Sequence, residues 1–138
     1  MTSGPIFRMQ AFGALGCLGV RWDETFSADQ CRDFFDTLSV TPFFRTCVKM
    51  FHDARGCNLS VGSDEMVRAA RLPYVESARE GPLRIAILVE TDVAFGMLRI
   101  MASMRAENGV EIRVFRDYDD GARWLELPPH DGEIFDLF

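Results

Sequence analysis

The sequence has no block of lysines and arginines, no two cysteines at CxxC or CxxxC spacing and no apolar run near the roughly 20 residues that a membrane span needs. With a formal charge of −6, the first absence argues against nucleic acid or an anionic membrane surface as the main partner, because an acidic chain repels phosphates. The second leaves Cys17, Cys31, Cys47 and Cys57 scattered, so they read as small core residues with reduced thiols rather than metal ligands. The third, with no charged start and uninterrupted apolar segment among the first 20 residues, makes the cytoplasm the expected location. Histidine is scarce too. His52 falls in a strand and His130 in a Pro-rich stretch, neither beside a Ser or Cys in a nucleophile turn, so no catalytic constellation, metal or cofactor is expected.

What is present is a globular composition, 48% apolar and 26% charged over 138 residues, which suits one domain with a sizeable core. Its organising unit is Leu83–Asp117. Ile85-Ala86-Ile87-Leu88-Val89 is an unbroken apolar run, as expected of a strand buried on both faces. From Asp92 the period becomes helical, with Val93, Met97, Ile100, Met101 and Met104 on one face and Asn108-Gly109 as a left-handed stop. Val110–Val114 then alternates as a second strand.

Residues 1–5 read as a flexible leader. Ile6–Gln10 and Leu15–Trp22 read as an antiparallel ribbon, the latter with Leu18, Val20 and Trp22 on one face; Gly13, Gly16 and Gly19 belong to its turn and packing rather than to a phosphate loop. Ser27-Ala28-Asp29-Gln30 has the form of a capping box opening a helix to about Leu38, with Cys31, Phe34, Phe35 and Leu38 at helical spacing; Thr41-Pro42 closes it. Thr46–His52 reads as a third strand. A helix is expected from Asp64 to about Leu72, resuming over Tyr74–Glu80, and a last one over Tyr118–Leu127. The stretch 128–138 reads as an acidic-apolar tail whose Ile134, Phe135, Leu137 and Phe138 dock on a partner or fold back.

Several phrases carry a resemblance. Arg84–Val89 followed by Phe95-Gly96-Met97, then Val110–Asp117 and Ala122-Arg123-Trp124-Leu125, looks like the C-terminal half of the bacterial SpoIIAA-like proteins of the STAS and CRAL-TRIO superfamily. The hairpin, the first helix, Pro42-Phe43-Phe44-Arg45 and Asp53-Ala54-Arg55 agree more loosely. The resemblance spans roughly residues 6–127. It implies an α/β domain with a mixed sheet of four to five strands and about four helices, mainly on one side, and a dimer in which a partner subunit meets the other face. It implies no activity. STAS anti-sigma-factor antagonists carry a phosphorylatable Ser in an Asp-Ser pair after the third strand, whereas here Ser60 and Ser63 are displaced from that pattern. CRAL-TRIO relatives enclose lipids with more chain than this, which leaves room for a small ligand.

In such sheets the loops beyond the carboxyl ends of parallel strands converge, and ligands bind there. Those loops carry Asp53 and Arg55, then Glu90, Thr91 and Asp92, then Arg116 and Asp117. The favoured reading gives them structural work: Thr91 or Asp92 caps the long helix, Asp117 caps the last, and Arg55 or Arg116 pairs with a carboxylate. A receiver-type phosphoacceptor role for Asp53 lacks the acid pair after the first strand and the lysine after the fifth, where Arg116 stands. Asp53, Arg55, Thr91, Asp92 and Arg116 remain the candidate contacts for a ligand or partner, with Phe95 and Met97. The leading expectation is a non-enzymatic, cytoplasmic interaction or regulatory module that binds another protein or its own copy. The alternative is a carrier of a small apolar or acyl ligand, held around Phe34, Phe35, Phe95 and Met97.

Overall fold

A computed structural model describes residues 7–23, 28–57, 80–105, 109–129 and 131–138, together with positions 64 and 68. The leader, the Ser27 cap, both displaced serines and, apart from the helical positions 64 and 68, the helix expected from Asp64 onwards lie outside these residues. Within them the protein is α/β. Five strands form one mixed sheet in the order β1 (Phe7–Phe12), β2 (Cys17–Trp22), β3 (Lys49–Asp53), β4 (Leu83–Leu88) and β5 (Val110–Phe115). Three α-helices accompany it: α1 (Ala28–Ser39), α2 (Asp92–Arg105) and α3 (Tyr118–Trp124). Two strands start later than their apolar patterns suggest. A 3-10 turn over Gly13–Leu15 delays β2, and another over Pro42–Arg45, with Pro42 in its first turn, delays β3.

β1 and β2 pair antiparallel, with Met9 opposite Val20, whereas β2, β3, β4 and β5 run parallel, Val20 opposite His52 and His52 opposite Ile87. Parallel neighbours in chain order need crossovers, and right-handed crossovers progressing in one direction put their helices on one face. Accordingly α1 and α2 share a face. Cys31, Phe34 and Leu38 of α1 join Ala94, Leu98 and Met101 of α2 over Val20, Met50, Ile85, Ile87 and Val89.

Such winding leaves the second face bare, yet β4 is apolar on both sides. The chain beyond β5 supplies the cover. Leu125, Ile134 and Phe135 pack with Cys17, Phe51, Ala86 and Leu88, and Phe12, Phe115, Tyr118, Trp124 and Phe138 close the margin. Ile134 and Phe135 are 3% and 1% exposed; burying a side chain of this kind contributes roughly 1.5–3 kcal/mol. The stretch expected as a tail is thus part of the domain, folded back in cis through the 3-10 turn Ile134–Leu137. No partner subunit is needed over this face.

The long helix is also rotated from its expected face. Met101 is buried as expected, but Val93 and Ile100 are 66% and 58% exposed, and Ala94, Leu98 and Ala102 are buried in their place. Gly109 follows at φ +79°, the left-handed conformation expected of it.

Candidate functional site

The candidate residues gather at the carboxyl edge of the parallel strands in two groups. β3 delivers Asp53, buried at the strand's last position, where its carboxylate turns the chain by accepting from the Arg55 backbone N–H at 3.1 Å. The Arg55 side chain returns to the same carboxylate: Nε donates to Oδ1 at 2.9 Å and Nη2 to Oδ2 at 3.1 Å. Its other edge grips Glu133, with Nη1 donating to Oε2 at 2.9 Å and Nη2 to Oε1. One guanidinium thereby joins the strand edge to the C-terminal segment. Both carboxylates hold the Arg55 proton more tightly than usual, Glu133 foremost and Asp53 next, through their hydrogen bonds.

Arg21, opposite Asp53 in the β2–β3 register, completes this group. Its Nε lies 3.8 Å from Asp53 Oδ2, and its Nη1 donates to the main-chain oxygens of Phe135 at 3.2 Å and Phe138 at 3.0 Å. Glu133 in turn opens the last 3-10 turn through a reciprocal cap with Asp136. The Tyr118 hydroxyl accepts from the Ile134 N–H at 3.0 Å, and burial raises its pKa.

The second group sits where β4 and β5 end. Thr91 Oγ1 accepts from the Ala94 N–H at 3.1 Å and caps α2; Asp92 in its first turn pairs with Arg116, where a negative charge suits the helix dipole. Arg116 also approaches the Glu90 carbonyl at 3.5 Å. Asp117 caps α3 by accepting from the Asp119 N–H at 3.1 Å. Among the described residues no hydrogen bond or ion pair links the two groups, so Asp53 and Arg55 belong to one arrangement, and Thr91, Asp92 and Arg116 to another.

Phe95 and Met97 are half-buried at the margin of the first core, and Arg99 lies over the Phe95 ring at 5.5 Å from its centroid. Concavities occur at two places beside these elements. One, of about 530 Å³, is lined by Phe7, Arg8, Met9, Thr37 and Phe138; the other, of about 370 Å³, lies between Tyr118, Arg123 and Pro128-Pro129. Neither is lined by Phe34, Phe35, Phe95 or Met97.

His52 is a core residue. Its Nδ1 accepts from the Trp22 indole N–H at 3.0 Å, and its ring stacks on Trp22 and meets the edge of Phe34. Burial lowers its pKa to about 3, so the imidazole is neutral. Burial likewise pushes the Cys17 thiol up to about 12, far from a reactive thiolate. Among the described residues no three His, Cys, Asp or Glu are placed to hold a metal ion, and no helix is long and apolar enough to cross a membrane.

The chemistry open to this edge is charge pairing and peptide-backbone recognition. All three nitrogens of the Arg55 guanidinium are engaged, and Arg21 reads main-chain oxygens. Arg21 and Glu133 were not among the residues singled out from the sequence. The one local sign for Glu133 is an acid directly before the apolar pair Ile134-Phe135. Comparison with protein-family models, curated proteins and solved structures finds no match to this chain.

Proposed function

We propose that the protein is a SpoIIAA-like domain of the STAS and CRAL-TRIO superfamily that works in the cytoplasm without catalysis, by binding another protein or its own copy. The observation that carries this reading is the outer face of α2. Val93 and Ile100 are exposed and Met97 half-buried at spacings i, i+4 and i+7, which forms an apolar stripe on the solvent side of a helix whose opposite face already fills the core. The charged candidates beside it are occupied in caps and pairs, so recognition falls to this surface rather than to a reactive centre.

Native mass spectrometry on the purified chain, repeated after denaturation, tests the reading. The expected result is a dimer without added mass that Ile100→Asp dissociates. A small non-covalent mass released by denaturation overturns it and makes the protein a ligand carrier.

A further inference from the structure

Among the described residues no strand lies beyond β5, which forms one edge of the sheet. Leu83 donates its main-chain N–H to the Gly109 carbonyl at 3.1 Å, and Val89 donates to the Phe115 carbonyl at 2.9 Å. Main-chain groups alternate between the two sides of a strand, so the odd-numbered residues of β5 face β4. Val110, Ile112 and Val114 therefore point their N–H and C=O groups at the open edge. The strand is six residues long without a proline, and such an edge is a template for another strand unless something blunts it.

The charges of β5 select which strand that is. Glu111 and Arg113 are both exposed and project on one face of the sheet, where Arg113 lies 5.4 Å from the centroid of the Trp124 ring. An antiparallel second copy of β5, centred on Ile112, sets Glu111 opposite the copy's Arg113 and Arg113 opposite its Glu111. Val110 then faces Val114, and the three outward residues exchange main-chain hydrogen bonds with their counterparts. The charged pairs fall at the positions without hydrogen bonds, where opposing side chains stand closest. Centring the pair on Glu111 or on Arg113 instead sets two glutamates or two arginines together, which is repulsive. The strand is self-complementary in one register.

The opposite edge lacks this property. Arg8 is the one charged residue of β1 and pairs with Asp23, and joining β1 of one chain to β5 of the next is a head-to-tail contact without two-fold closure.

We propose that two copies of this chain pair through β5, antiparallel about Ile112, so that two five-stranded sheets become one continuous sheet. The α2 helix packs on β5, and the same two-fold axis brings it beside its counterpart. This pairing rests on the interaction reading above, commits it to a second copy and adds the strand edge that docks.

Charge reversal on the full chain tests it at two exposed positions. In a homodimer Glu111→Arg sets arginine opposite arginine twice, and Arg113→Glu sets glutamate opposite glutamate twice. Mixed together, the two variants place every arginine of the joined edge against a glutamate. Native mass spectrometry is expected to show each variant alone as a monomer and the equimolar mixture as a dimer of one copy of each. Single variants that dimerise as the unsubstituted chain does, or a mixture that stays monomeric, overturn the pairing.

Hydrogen exchange on the unsubstituted chain asks the same of the main chain. The amides of Val110, Ile112 and Val114 are expected to exchange more slowly as protein concentration rises, while those of Glu111 and Arg113, which face β4, stay protected throughout. An Ile112 amide that exchanges at the same rate at every concentration overturns the proposal. Ile100→Asp separates the two surfaces. A dimer lost with Ile100→Asp but formed by each charge variant alone, with the variants mixing at random, leaves α2 as the interface and removes the β5 pairing. A dimer that follows the charge pairing and is indifferent to Ile100→Asp does the reverse.

Discussion

Trp22 donates its indole N–H to Nδ1 of His52 across the β2–β3 pair, at 3.0 Å, and so fixes a neutral imidazole inside the first core. The pKa of His52 is about 3 in the folded protein and 6.5 when unperturbed, so the unfolded chain gains a proton that the native state refuses. Stability therefore falls as pH drops below about 6.5 and goes on falling towards 3. Between pH 7 and 5 the loss is about 2 kcal/mol. Urea unfolding midpoints for the wild type and His52→Gln, followed over that range, check this: the variant keeps an acceptor for Trp22 and should show the shallower slope.

Arg55 is the only guanidinium with hydrogen bonds to both Asp53 and Glu133 among the described residues. Arg55→Ala leaves the buried Asp53 carboxylate with Arg21 at 3.8 Å, and the C-terminal segment loses its clasp. Because the Arg55 side chain is 31% exposed, the cost is discounted from that of a fully buried pair to about 1–3 kcal/mol. Phe135→Ala, which empties the aromatic pocket, costs more, about 3–5 kcal/mol. Hydrogen exchange separates the two effects. Arg55→Ala is expected to speed exchange of the Ile134 amide while leaving β4 protected.

Local patterns made most of the elements legible. The unbroken run Ile85–Val89 announced a strand covered twice, Val110–Val114 alternated as it does in β5, and Phe34 and Leu38 face the core at the predicted spacing. The face of α2 was not legible, because the helix carries two overlapping apolar stripes. Val93-Met97-Ile100 has the larger side chains, yet Ala94-Leu98-Met101 is the buried one, and an apolar period that fits both stripes does not choose between them. Nor was the fate of residues 131–138 legible. It depends on Arg21 and Arg55, which meet this segment across separations of 114 and 78 residues, and composition alone does not choose the surface on which it docks.

The two stripes of α2 give opposite responses to substitution. Leu98→Ala removes a side chain that is 3% exposed and should cost about 2–5 kcal/mol. Ile100→Lys alters an exposed position and should change stability by no more than about 0.5 kcal/mol, while on the proposed function it is expected to abolish binding through that face. Thermal unfolding beside sedimentation velocity distinguishes them. A large loss of stability from Ile100→Lys would mean that the stripe is covered within the monomer.

Gly121 sits inside α3 with Phe51 directly beneath it: an added Cβ would meet Phe51 Cζ at 3.0 Å and Cε1 at 3.2 Å. The Phe51 ring has no room to yield, because it is fully buried, stacks on Tyr118 at 5.2 Å between centroids and receives Phe135 on its edge. Gly121→Ala gains about 1 kcal/mol of helix propensity and meets a packing clash worth about 1–3 kcal/mol, so the net effect is destabilising. Combining it with Phe51→Leu, which shortens the opposing ring, tests the cause. The double variant should then be more stable than the sum of the two single losses predicts, and strict additivity would place the cost of the alanine somewhere other than this contact.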